Sequence, residues 1–179
     1  MCIVLDVNSF RNFRSIANED MEPVRNWLNR SNGKIAYSPT EKFKSEWEAG
    51  GGYELMRGLL QNQDSNHSAP IGLNWEQAVM ELQRMGKFKL VPAEDVQAKA
   101  DALEQTGELQ SDDPHIIALA MRANVKVLVV QRIPDTPIGG RGRPRGADPE
   151  LQGDFKNLVG GSVYITRSHR HLLTRDTCP

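Results

Sequence analysis

Short apolar runs alternate with amphipathic stretches along most of the chain. The runs are continuous rather than alternating with polar residues, which is typical of strands covered on both faces. They predict strands at 2–5, 34–37, 88–91, 126–130 and 163–166. The stretches between them carry apolar residues at helical spacing. They predict helices at 22–30, 39–47, 53–61, 75–85, 92–105 and 114–123, with a short turn or helix at 148–156.

The alternation of strands and helices predicts the fold class. Strands that are apolar throughout and separated by helices indicate an α/β protein, a three-layer α/β/α sandwich with a central, mainly parallel sheet. The length of 179 residues, 39% hydrophobic and 25% charged, fits a single globular domain over 1–179. Apolar runs such as 127–130 are far too short to cross a membrane, so no membrane partner is expected.

Local start and stop signals refine this pattern. Ser38 is expected to cap the second predicted helix, with Pro39 at its first position. The run Gly50-Gly51-Gly52 is expected to separate that helix from the next.

The two cysteines, Cys2 and Cys178, lie near opposite ends of the chain and lack metal-ligand spacing, so they indicate neither a zinc site nor a disulfide framework. Together with a start unlike a signal peptide, they lead us to expect a cytoplasmic protein.

Basic residues cluster although the net charge is only −1. A segment at 132–147, rich in proline, glycine and arginine, interrupts the regular pattern after the fourth strand, and a basic tail is expected at 167–179. The segment 132–147 contains four arginines and a single acid, Asp135; the arginines are Arg132, Arg141, Arg143 and Arg145. Such patches favour contacts with nucleic-acid phosphates, which give affinity more than sequence specificity.

Acidic residues fall where the predicted strands end. Asp6 follows the first strand, Asp112 and Asp113 open a helix, and Asp148 follows the fourth strand and its insertion. Ligand sites of parallel sheets lie beyond the carboxyl ends of the strands, so we expect these acids to converge there. Carboxylates held together repel one another unless a cation neutralises them. Oxygen ligands without imidazole or thiolate select Mg²⁺ or Mn²⁺.

These segments resemble the PIN-domain nucleases. The stretch 4–8 (Val-Leu-Asp-Val-Asn) is similar to the family's opening strand with its acid, and 111–120 is similar to the helix with its third acid. The stretch 148–156 resembles the D-x-x-L-x-x-D-F-K segment with the fourth. The resemblance covers residues 2–166. It implies a nuclease that uses Mg²⁺ or Mn²⁺ and hydrolyses phosphodiester bonds, with single-stranded or structured RNA favoured over DNA.

The resemblance also implies roles for particular residues. The catalytic set is Asp6, Glu46, Asp113 and Asp148, the metal ligands are Asp6, Asp113 and Asp148 with Asp112 as helper, and the substrate contacts are Asn8, Ser9, Arg141, Arg143 and Arg145. Three alternatives stay open. Glu41 competes with Glu46 for the second acid, Asp112 with Asp113 for the third, and Asp135 with Asp148 for the fourth, since the insertion separates Asp148 from its strand.

The same resemblance implies a biological setting. Many bacterial members are toxins, so an antitoxin protein is an expected partner, and a homodimer is common. A second hypothesis is a catalytically weakened PIN domain that binds RNA or protein without cutting. A third, a flap-cutting DNA nuclease, lacks the extra acids and the helical arch that we would expect.

Overall fold

A computed structural model describes residues 2–30, 32–61, 72–130 and 149–174. Five strands form one all-parallel sheet in the order β3-β2-β1-β4-β5. They are β1 (Cys2–Leu5), β2 (Lys34–Tyr37), β3 (Phe88–Leu90), β4 (Val127–Val129) and β5 (Ser162–Tyr164). The innermost strand, β1, pairs with β2 through Cys2 and Lys34 and with β4 through Val4 and Leu128.

Helices connect the strands and cover the sheet. They are α1 (Phe10–Arg14), α2 (Glu22–Arg30), α3 (Glu41–Ala49), α4 (Gly52–Gln61), α5 (Trp75–Arg84), α6 (Ala93–Thr106), α7 (Pro114–Ala123) and α8 (Pro149–Asp154). A π-helical turn (Phe155–Val159) continues α8, and 3₁₀ turns lie at Val7–Ser9 and Arg167–Leu172. Helix α7 packs on α6, β1 and β2, while α1, α3 and α5 all contact α4. The predicted three-layer α/β/α fold is confirmed.

The strand predictions hold because the strands are largely buried, β1 and β4 throughout. All four residues of β1 are at most 2% exposed, since strands lie on both sides of it and helices above and below. Two short elements at the carboxyl edge escaped prediction, the 3₁₀ turn after β1 and the five-residue α1. Neither is long enough to repeat an apolar period. None of the helices in the described ranges has the length and apolar character needed to cross a membrane.

Two local expectations are wrong. The N-cap of α3 is Thr40, whose hydroxyl accepts a hydrogen bond from the backbone nitrogen of Phe43 at 3.2 Å, so the helix begins two residues later than the Ser38 cap predicts. Cys2 is disulfide-bonded, whereas the sequence led us to expect no disulfide. Spacing along the chain does not tell which cysteines meet after folding. Cys178 and the insertion 132–147 lie outside the described residues.

An aromatic cluster joins the first half of the chain. The Trp47 ring lies 4.7 Å from Phe10, 5.0 Å from Tyr37 and 5.8 Å from Phe88, measured between centroids. Phe43, one turn before Trp47 on α3, completes the cluster at 5.6 Å. Aromatic pairs in such edge-on or tilted contact stabilise a fold beyond the area that they bury. The cluster therefore fixes the position of α3 on the sheet.

The glycine run between α3 and α4 permits this packing. Gly51 has a φ of +83°, which only glycine adopts without strain. A Cβ on Gly52 would lie 2.8 Å from the carbonyl oxygen of Trp47 and 3.1 Å from the Trp75 ring. The sequence prediction of a helix break here is confirmed: the positive φ accounts for Gly51, and the close approach to Trp47 accounts for Gly52.

We predict opposite effects for two glycine substitutions in α4. Gly52→Ala should lower the free energy of unfolding by about 1–3 kcal/mol, because the new methyl group forces the backbone away from Trp47. Gly58→Ala should raise it by about 0.5–1 kcal/mol, because no atom lies within 4 Å of its Cβ position and alanine favours a helix. Urea denaturation of both variants measures the difference. Equal effects would show that the close approach to Trp47 is unimportant.

Candidate functional site

Asp6 lies at the carboxyl end of the innermost strand. Its backbone nitrogen donates to the Val129 carbonyl at 3.0 Å, which continues the β1–β4 ladder by one residue and fixes the side chain at this edge. The residue is 8% exposed. Burial raises the pKa of the Asp6 carboxyl to about 6, with smaller contributions from the negative charges of Asp113 and Glu46. Hydrogen bonds from the backbone and the side chain of Asn8 oppose this rise.

Three further acids belong to the same charged region, since Glu46 and Asp113 act on Asp6 and Asp112 acts on Glu46. Glu46 is half-buried on α3, and its pKa is raised first by burial and then by the charges of Asp113 and Asp112. Asp113 precedes α7, and its side chain makes no capping hydrogen bond to that helix. The structure thus brings together acids from three separate elements that the sequence predicted would meet. Their mutual repulsion identifies one electrostatic cluster, which we call the acidic cluster: Asp6, Glu46, Asp112 and Asp113.

Of the two glutamates predicted as the second acid, Glu41 and Glu46, the structure favours Glu46. Glu41 is the first residue of α3 and is exposed, in keeping with a role at the positive end of the helix. The charges that act on Glu46 include those of Asp112 and Asp113, and the charges that act on Asp6 include that of Glu46. The position of Glu46 therefore makes it a member of the acidic cluster.

Lys42 is a cation of the site that sequence reasoning missed. It lies one turn before Glu46 on α3, and its Nζ donates to the backbone carbonyl of Asp112 at 3.3 Å. Its charge lowers the pKa of Glu46 and so opposes the effect of burial. Spacing of i and i+4 on one helix was the available signal.

The two predicted substrate contacts next to Asp6 differ in exposure. Asn8 is exposed and also donates to the Asp6 carboxylate. Ser9 is fully buried, and its hydroxyl donates to the backbone carbonyl of Asp6. The Ser9 hydroxyl therefore holds the turn after β1, while Asn8 faces the solvent beside the acidic cluster.

The remaining predicted residues are the fourth acid with its alternative and the basic residues. Asp148, the alternative Asp135 and the arginines Arg141, Arg143 and Arg145 lie outside the described residues. The first part of the expected basic tail, Arg167–Leu172, is a 3₁₀ helix packed against α2. Arg167 forms an ion pair with Glu19 at 3.1 Å, and its backbone nitrogen donates to Asp20. This basic segment is therefore held against the domain, with Arg170 and His171 exposed.

The side chains of the acidic cluster show which cation the site would suit. Its members are carboxylates that repel one another, two of them with raised pKa values, and its chemistry suits a hard divalent cation. Yet across 2–30, 32–61, 72–130 and 149–174, no three His, Cys, Asp or Glu side chains are arranged closely enough to hold a metal ion. The donor chemistry fits Mg²⁺ or Mn²⁺, and side-chain movement or a further ligand is needed to complete the coordination.

A separate cavity of about 220 Å³ lies between α1, α2 and α4. Its walls include Phe13, Ile16, Leu55 and Leu59, with Arg14 and Glu54 at one side. No member of the acidic cluster lines this cavity.

Comparison with known proteins found no relative. No protein-family model matches the chain, and no curated protein or solved structure matches it either.

We predict that Asp6 makes the metal-free protein less stable as the pH rises. An acid whose pKa is higher in the folded chain contributes stability that is complete below its unfolded pKa and is lost through its folded value. For Asp6 these values are 3.8 and about 6. At about 1.4 kcal/mol for each pKa unit, the whole loss is about 3 kcal/mol, of which about 2.4 kcal/mol falls between pH 4 and pH 7.

The measurement is urea unfolding in EDTA at both pH values. Relative to the wild type, Asp6→Asn should gain about 2.4 kcal/mol on going from pH 4 to pH 7, because asparagine does not ionise. Asp101→Asn is the matched control, since Asp101 is exposed on α6. A stability difference between Asp6→Asn and the wild type that stays constant with pH contradicts the prediction.

Proposed function

We propose that the protein is a PIN-like nuclease that hydrolyses phosphodiester bonds of RNA with the help of Mg²⁺ or Mn²⁺. The observation that carries this proposal is the acidic cluster, in which Asp6, Glu46 and Asp113 come from three separate elements at the carboxyl edge of a parallel sheet. The resemblance of the surrounding segments to PIN domains supplies the reaction class.

The residues have distinct roles in this proposal. Asp6, Glu46 and Asp113 hold the cation, Asp112 assists, and Asp148 supplies the fourth carboxylate. A bound divalent cation lowers the pKa of a water molecule and offsets charge on the phosphate. Asn8 orients the Asp6 carboxylate and, being exposed, also contacts the substrate. Lys42 offsets part of the negative charge before the phosphate enters.

The substrate and its surroundings form part of the same proposal. Arg141, Arg143 and Arg145 contact phosphates, and the exposed Arg170 lies in the described part of the basic segment. RNA is favoured over DNA by the family resemblance. A toxin role with an antitoxin partner and a homodimer complete it. The cytoplasmic location expected from the sequence is not part of the proposal, because a disulfide such as that at Cys2 is typical of oxidising compartments.

We predict that Mn²⁺ stabilises the wild-type protein through the acidic cluster. A ligand that binds only the folded state at 100 times its dissociation constant adds about 2.7 kcal/mol. Thermal unfolding with Mn²⁺ and with EDTA measures the shift at pH 7. The shift should persist in Asp101→Asn and be nearly absent in Asp6→Asn. Equal Mn²⁺ effects in Asp6→Asn and the wild type would place the cation elsewhere.

We also predict that cleavage needs both the metal and the cluster. End-labelled single-stranded RNA and matched DNA are incubated with the wild type, Asp6→Asn, Asp113→Asn and the control Asp101→Asn. We expect RNA cleavage with Mn²⁺ or Mg²⁺, none in EDTA, and a loss of at least about 100-fold in both cluster variants. Cleavage at the wild-type rate in both cluster variants rules out the proposed site.

A second candidate function is RNA or protein binding without cleavage. It is favoured by the finding that no three acids, histidines or cysteines in the described ranges are arranged to hold a metal. The same assay separates the two functions. Folded wild-type protein that retains RNA in EDTA and cuts nothing with any metal supports the binding module.

A further inference from the structure

Asp154 is a buried carboxylate with an unusual set of neighbours. It is the last residue of α8 and is 3% exposed. One carboxylate oxygen accepts hydrogen bonds from the Ser111 backbone nitrogen at 2.8 Å and from the Ser111 hydroxyl at 2.7 Å. The Gln110 backbone nitrogen lies within 3.2 Å of both oxygens. Two successive peptide groups and one side chain are thus held by a single carboxylate.

The chemistry of these contacts requires an acceptor. All three neighbouring groups are hydrogen-bond donors, and Ser111 is only 8% exposed, so water replaces the carboxylate poorly. Hydrogen bonds to a charged acceptor are roughly twice as strong as those between neutral groups. An asparagine would turn its amide nitrogen or its weaker oxygen toward the same donors. The structure therefore explains why this position carries an acid rather than its neutral analogue.

The segment that Asp154 holds leads directly into the acidic cluster. Ser111 is followed by Asp112 and Asp113, and Asp113 occupies the N-cap position of α7 without a capping hydrogen bond from its own side chain. The backbone of this segment is fixed from outside instead, by Asp154 at Gln110 and Ser111 and by Lys42 at the carbonyl of Asp112.

We propose that Asp154 is a positioning residue, which sets the backbone from which Asp112 and Asp113 reach Asp6 and Glu46. This inference rests on the proposed cation site and adds the element that orients it. Asp154 also closes the short helix that begins directly after Asp148. It thereby couples the chain near the fourth proposed acid to the loop that carries the third.

The test measures Mn²⁺ affinity of the full-length protein by isothermal titration, with urea unfolding in EDTA as a separate measure of stability. Loss of a group that orients metal ligands weakens metal binding by about 10- to 100-fold, and we expect this for Asp154→Asn. Ser111→Ala, which removes one donor, should weaken it less, and Ser111→Thr, which keeps the hydroxyl, should bind nearly as the wild type does.

A matched control separates positioning from general stability. Lys126 donates from its Nζ to the carbonyl of Val159, at the other end of the π-helical turn that follows Asp154. Lys126→Met should therefore reduce stability in EDTA without changing the Mn²⁺ affinity. If Asp154→Asn does not fold, Ser111→Ala and Ser111→Thr decide the matter.

Each outcome has a distinct meaning. Weakened Mn²⁺ binding in Asp154→Asn, or in Ser111→Ala with recovery in Ser111→Thr, supports the positioning role. Wild-type affinity in Asp154→Asn overturns that role and leaves the proposed function standing. Equal losses of affinity in Asp154→Asn and Lys126→Met overturn it as well, because the loss then follows stability. A wild-type protein that binds no Mn²⁺ overturns the proposed cation site and the positioning role together.

Discussion

Burial, assisted by the charges of Asp113 and Glu46, raises the pKa of the Asp6 carboxyl to about 6. Several neighbouring contacts hold the Asp6 carboxyl in a buried position where its charged form is unfavourable. Asp6 cannot move away, because its backbone nitrogen extends the ladder between β1 and β4 and the four residues before it are buried. Asn8 offsets part of the cost with two hydrogen bonds, and the remainder favours any cation that enters.

The opposite edge of the sheet shows the complementary arrangement. Lysine ammonium groups there donate to carbonyls at or near the carboxyl ends of helical segments, Lys87 to Leu28, Lys89 to Ala123 and Lys126 to Val159. Cations are favoured at this end of a helix, where the carbonyls lack partners. Burial lowers the pKa of Lys87 and of Lys89, so these contacts also keep two amines in a partly dry environment. The acidic cluster thus lies at one edge of the sheet, and these three lysine contacts lie at the other.

The sequence was sufficient for the strands and for most helices, because an apolar run or an amphipathic period is a local signal. It also predicted that Asp6 and Asp113 lie at one edge, since strand order in a parallel sheet brings carboxyl ends together, whereas Glu46 was predicted from the family resemblance. It could not supply contacts made across the fold. The sequence around Asp154 does not indicate that its carboxylate contacts Ser111. The sequence around Lys42 likewise does not identify the carbonyl of Asp112 as its partner.

The position of Glu46 shows how the core and the site depend on one another. Phe43 and Trp47 lie one turn apart on α3 and are both buried in the aromatic cluster, which fixes the rotation of the helix. Lys42 and Glu46 are each one residue earlier, so they share the neighbouring face, and the charges of Asp112 and Asp113 act on Glu46 there. The packing of Trp47 against Gly52 and Phe10 therefore also determines which acid of α3 joins Asp6.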